Sequence, residues 1–256
     1  KPMKGMDLFK LELLKMKRSR MIALLSAAPI LVVVSGVVNL SQYLTPEYTQ
    51  AWPAMFIQSA LLYAYYLLPF SMIVVCVMIA GRETQNNGML KMLALPVSRF
   101  RLSLAKFGVL VFCLLLEMVV FLLIFVLAGW IAVQTAGVKE TLPLGYLLQA
   151  CGEIFVTMLP CTAVMWMVTV VFEKPLITVG LNLMLVIPGL LAGATPLWFL
   201  YPYCYSGYLV SCSLHEFTVG GIKSAFPLFP FLPCALAYFL SALGMAAVRF
   251  GKKEMR

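Results

Sequence analysis

The stretch Gly81 to Lys106 reads GRETQNNGMLKMLALPVSRFRLSLAK, and the fold turns on how it is read. It is the longest polar interruption between two strongly apolar segments. Arg82, Lys91, Arg99, Arg101 and Lys106 stand in it against one acid, Glu83. Loops this basic stay on the cytoplasmic side of a bilayer. An acid sits at the membrane exit, Gly88 follows five residues on, and a short amphipathic run leads to Pro96-Val97-Ser98-Arg99. Such a loop either presents a short helix to a soluble partner or acts as a basic connector that fixes topology.

Outward from that loop the chain is apolar. Of its 256 residues 62% are hydrophobic and 11% charged, with a mean hydropathy of +0.97. A soluble domain carries roughly 25% charged residues. The composition is that of an all-α integral membrane protein. The net charge of +9 does not point to nucleic acid. The basic residues flank apolar spans, where they meet anionic lipid and set orientation.

Hydropathy and charge together predict six spans, at about 21–40, 55–80, 107–133, 147–172, 176–194 and 226–248, in one domain covering 1–256. An apolar helix of about 20 residues is about 30 Å long, enough to cross the hydrocarbon core. The first run lacks a small-residue cleavage site, so we read no removable signal peptide. With both ends in the cytoplasm, all Lys and Arg except Lys139 and Lys223 fall on the inside. That asymmetry supports the layout.

Before the first span, Met6, Phe9, Leu13 and Met16 fall at helical spacing among basic residues. This pattern predicts an interfacial helix with its apolar face in lipid. Pro69 falls inside the second span, where a kink is tolerated. Tyr63, Tyr65 and Tyr66 lie in its outer half, as an aromatic belt or a substrate wall. Gly189 and Gly193 read as a local packing face. Thr195 to Ser224 is a long outer stretch, rich in aromatics from Trp198 to Tyr208. An apolar stretch outside a span leaves backbone groups unpaired unless it folds into short re-entrant helices.

Soluble-enzyme chemistry is missing from the sequence. The nearest string to a phosphate-binding loop, Gly220-Gly221-Ile222-Lys223-Ser224, lacks the Gly-Lys pair. One histidine, His215, precludes a two-histidine metal motif. Seven cysteines form no C-x-x-C pair and read as small core hydrophobes, with Cys204 and Cys212 the one pair placed for a bridge. Two acids, Glu117 and Glu153, fall within spans. An ionisable group at the bilayer centre costs at least ~2.5 kcal/mol, so Glu117 is expected to face a bundle interior or water. Glu153 is nearer its span's outer end and within reach of the headgroups.

At Arg82-Glu83, Gly88-Met89-Leu90-Lys91, Leu95-Pro96-Val97-Ser98-Arg99 and Lys106 the chain resembles ABC-2-type transporter permeases. Glu12-Leu13-Leu14-Lys15-Met16-Lys17-Arg18-Ser19 is similar to the opening of the lantibiotic-immunity branch, and Trp198 to Pro202 to the Trp-x-x-Pro region before that branch's last span. The likeness covers nearly the whole chain by layout and three places by motif.

The resemblance implies a six-helix half-transporter with an N-terminal elbow helix and re-entrant helices before the last span. The coupling loop, 81–106, would use Glu83, Gly88, Leu90 and Lys91 to engage an ABC ATPase dimer. ATP and Mg would act through that ATPase, with no cofactor or catalytic residue in this chain. A second permease subunit, different or identical, would complete the pore in a bacterial plasma membrane. Glu117, Trp198, Tyr201 and Tyr205 are expected along the substrate path or gate. The expected cargo is an amphipathic antimicrobial peptide. The alternatives are another amphiphile, such as a bacitracin-like drug or lipid, and, from another class, an intramembrane enzyme.

Overall fold

The computed structural model describes residues 5–17, 21–38, 50–81, 99–137, 140–172, 174–218 and 225–251. Among them 91% are helical and no strand occurs. We number the helices α1 (Gly5–Lys17), α2 (Met21–Val38), α3 (Ala51–Gly81), α4 (Arg99–Ala136), α5 (Leu144–Phe172), α6 (Pro175–Gly193), α7 (Tyr205–Thr218) and α8 (Leu228–Gly251). Helices α3, α4, α5, α6 and α8 are long and apolar enough to cross a membrane. Helix α2, over the first predicted span, is an 18-residue apolar helix.

Local signals explain the ends. Gly137 adopts φ +67 and stops α4, the left-handed conformation that glycine reaches without a Cβ penalty. Pro175 opens α6, where its missing N–H is no loss. Helix α3 has no capping side chain of its own at Gln50. Glu140 supplies the cap from across the fold, its carboxylate oxygens accepting the Ala51 N–H at 2.9 and 3.0 Å. An anion there pairs orphan N–H groups and complements the helix dipole.

Helix α8 packs along α5 and α2 along α4, and α4 also packs on α5 and α8. The interior is aromatic on the α3–α4 seam. Phe56 packs edge-on to Phe121 and Phe125, and Tyr63 stacks on Phe121 at 4.5 Å. Leu115, Val119, Leu123 and Leu127 on α4 are exposed at four-residue spacing, and Leu232, Leu236 and Leu240 form a similar row on α8. Those stripes are what a helix presents to lipid.

The α1 helix departs from expectation. Phe9 and Leu13, assigned to lipid by their spacing, pack on the protein instead, with Phe9 edge-on to Phe112 at 6.5 Å. Leu11 and Leu14 are the exposed ones. An ion pair joins the same two helices: Lys106 Nζ on α4 lies 3.2 Å from Glu12 Oε2 on α1, with both side chains buried.

The aromatics of α3 are likewise internal. Tyr63 and Tyr65 are buried, and Tyr66 is half-buried against the core. The Gly189 and Gly193 face packs locally, against the Tyr203 carbonyl and the Tyr65 ring. All seven cysteines are thiols, Cys204 and Cys212 included.

Candidate functional site

Two features dominate the interior of the spans, and they meet at one turn of α3. The first is Glu117, at 0% exposure in the middle of α4. It lies eleven residues beyond Lys106, or about 16 Å along the helix. Ser71 Oγ on α3 sits 2.7 and 2.8 Å from its two carboxyl oxygens, and the Tyr63 hydroxyl is 3.4 Å from Oε1. The same Ser71 Oγ is 2.8 Å from the Leu68 carbonyl. One hydroxyl hydrogen cannot serve both acceptors. A Glu117 carrying a proton would remove the conflict, with the acid donating to Ser71 and Ser71 to Leu68.

The second feature is a π turn in α3, Tyr63–Leu67, lying between α-helical halves Ala51–Leu62 and Leu68–Gly81. Proline explains it. Pro69 has no N–H, so the last turns before it cannot all keep their bonds. In the π register the Leu68 N–H reaches the Tyr63 carbonyl. The Ala64 carbonyl would then need the N–H of residue 69, which is Pro69. Ser206, on α7, fills the gap by donating its hydroxyl to the Ala64 carbonyl at 3.0 Å. Single π turns of this kind recur at functional sites.

The stretch from Trp198 to Thr218 forms a cap over this turn. Short 3-10 turns at Trp198–Leu200 and Pro202–Cys204 lead into α7. Trp198 is buried, stacked on Tyr208 at 4.2 Å and flanked by Phe226 at 5.2 Å. Tyr205 is fully buried, edge-on to Phe231, and donates to the Phe199 carbonyl. Tyr201 is half-buried and donates to the Leu185 carbonyl near the Pro188 break in α6. Tyr203 donates to Asn182 Oδ1 at 2.9 Å. Helix ends leave orphan carbonyls, and these hydroxyls satisfy one of them. Burial pushes the Cys204 thiol up to about 12 and raises the Tyr203 phenol well above its ordinary range.

Tyr65 is the hinge pin of the cap. Its ring lies against Gly207 and Gly193, so closely that a Cβ would fall 2.3 Å from the ring at Gly207 and 2.6 Å from the hydroxyl at Gly193. Its hydroxyl is 3.1 Å from Ser211 Oγ. Glycine at both positions is what lets α6 and α7 close on α3.

Of the site residues expected from sequence, Glu117 sits in the α3–α4 interior, and Trp198, Tyr201 and Tyr205 sit together in the cap. Glu83, Gly88, Leu90 and Lys91 lie outside the described residues. Glu153 is exposed on α5 and accepts from Gln149 Nε2 at 2.9 Å. Sequence reasoning missed Ser71, Ser206 and Ser211. Serines within apolar runs are the one signal that pointed to them. Among the described residues no group of three or more His, Cys, Asp or Glu is placed to hold a metal ion.

Five helices long and apolar enough to cross a bilayer mark a multi-pass membrane protein. Residues 8–189 match the family described as ABC-2 family transporter protein, and the chain belongs to that family. It is the membrane component of such a transporter, a class that is generally not catalytic and normally works with an ATPase subunit. No curated protein matches the chain.

Proposed function

We propose that this chain is the permease subunit of an exporter that expels an amphipathic antimicrobial peptide, a lantibiotic, from the bacterial plasma membrane, giving immunity or resistance. Helix α2 is the first of six spans, both termini are cytoplasmic, and α1 is the elbow helix. A separate ATPase dimer binds ATP and Mg and docks on the 81–106 loop through Glu83, Gly88, Leu90 and Lys91. A second permease subunit, of this or another sequence, faces it across the substrate path.

The observation that carries the reading is the aromatic cap between α6 and α8 in a chain of this family. Tyr and Trp combine a large apolar face with a polar handle and suit a water–lipid boundary. An amphipathic cargo leaving the membrane crosses that boundary. Glu117 meets α3 at Tyr63 and Ser71, and the cap meets it at Tyr65; this reading takes Glu117, Trp198, Tyr201 and Tyr205 as the lining of the path.

The test is protection. The chain is expressed with its ATPase in a lantibiotic-sensitive bacterium, and inhibitory concentrations are measured for a lantibiotic, for bacitracin and for a detergent-like lipid. Protection against the lantibiotic alone, lost with a hydrolysis-dead ATPase, is the expected result. Protection against bacitracin or lipid alone would move the cargo to another amphiphile.

A further inference from the structure

We propose that α7 is a lid on the outer end of the molecule, latched to the π turn of α3 by the hydrogen bond from Ser206 to the Ala64 carbonyl. This goes beyond the exporter reading and holds whatever the cargo is. Four observations on the two elements carry it.

The Ala64 carbonyl is orphaned by construction, because Leu68 serves Tyr63 and Pro69 has nothing to give. A buried carbonyl without a donor costs about 1–3 kcal/mol. Ser206 is therefore the one described group that closes the second span's bond count at that carbonyl. The bond also comes from outside the helix, joining residues 142 positions apart. Finally, a second side-chain contact of α7 falls on the same turn: Tyr65 bonds Ser211 and fills the space above Gly207. Helix α7 also packs on the regular half Ala51–Leu62, but its side-chain hydrogen bonds to α3 fall on the bulge.

A π turn carries one residue more than an α turn, and such a turn can shift along a helix by exchanging i+5 for i+4 bonds. When Ser206 leaves, the Ala64 carbonyl needs another donor. The Leu68 N–H then returns to Ala64, the register changes, and Tyr65 rotates off Gly207. Lid opening and the rearrangement of the second span are one event. The inner half of that span, Leu68–Gly81, leads directly into the 81–106 loop, so the lid communicates with the cytoplasmic side through it.

Ser206 is a positioning residue, and its test must read position. Cys204 and Cys212 are buried in the cap and serve as native reporters; Cys76, buried in the inner half of α3, is the reference. The full chain in lipid nanodiscs is labelled with a membrane-permeant maleimide, and modification of each cysteine is followed by mass spectrometry. Ser206→Ala should raise the rate at Cys204 and Cys212 about fivefold, the population change of one ordinary hydrogen bond, with Cys76 unchanged. Ser206→Thr keeps a hydroxyl and should stay near the parent rate. Pro69→Ala restores an N–H for Ala64 in the π register, so in that background Ser206→Ala should change the rates less than about twofold. An unchanged rate in Ser206→Ala, an undiminished effect in the Pro69→Ala background, or a parallel rise at Cys76 would each overturn the latch. These readouts need no substrate, so they stand apart from the protection assay.

Discussion

The Lys106 ammonium on α4 and the Glu12 carboxylate on α1 meet at 3.2 Å with both side chains buried. Lys106 lies two turns beyond Arg99, where α4 begins. Replacing one member of a buried pair costs about 3–5 kcal/mol, whereas replacing both with apolar groups is often near neutral. We therefore expect Lys106→Met alone to lower thermal stability in detergent more than the Lys106→Met, Glu12→Leu double change. Equal or additive losses in a double-mutant cycle would show that the pair does not hold α1 to α4.

Glu117 gives a prediction about its hydrogen. If it holds a proton and donates to Ser71, Glu117→Gln should replace it closely, because a Gln amide also pairs a donor group with an acceptor oxygen. Glu117→Ala should lose stability by about 2 kcal/mol, from the cavity and the stranded Tyr63 and Ser71 hydroxyls. Infrared spectra should show a protonated carboxyl stretch that vanishes in Glu117→Gln. A carboxylate band in its place would sink the neutral-acid reading.

Much of the architecture is legible in the sequence because hydropathy and charge asymmetry are local signals. The apolar runs from 55 to 248 all became helices. Their ends were less legible. Helix α4 begins at Arg99, ahead of the span expected from 107, because its basic first turns continue the helix beyond the apolar run. The burial of Phe9 and Leu13 was not legible, and neither was the pairing of Glu12 with a lysine 94 positions away. The same holds for Glu140, which caps α3 from another loop, and for Ser206. Each is a polar residue whose partner is chosen by the fold, and periodicity carries no trace of that choice.

The cap residues need a gentler probe than truncation. Trp198 is buried among Tyr208, Tyr205 and Phe226, and Trp→Ala in such a site costs about 3–5 kcal/mol from the cavity alone. Tyr201→Phe keeps the ring and removes only the bond to the Leu185 carbonyl. If Tyr201 acts in the gate, Tyr201→Phe should leave complex yield and basal ATP hydrolysis unchanged and reduce peptide protection. Protection that falls only in step with complex yield would assign the residue to packing.

The loop 81–106 carries the last prediction, which concerns the ATPase. An interface helix of a soluble partner needs contacts that a topology signal does not. Positive-inside orientation counts Lys and Arg and is nearly blind to single acids or glycines. Glu83→Ala and Gly88→Trp leave every basic residue of the loop in place. As a topology signal the loop should tolerate both. As a docking element it should not, because a buried acid loses its partner and an indole fills a close contact. We expect the double variant to insert normally, with Lys139 still reacting from outside, while substrate-stimulated ATP hydrolysis in the reconstituted complex falls at least about tenfold, the effect of losing roughly 1.4 kcal/mol at the interface. Unchanged stimulation with normal insertion would leave the loop as a basic connector only.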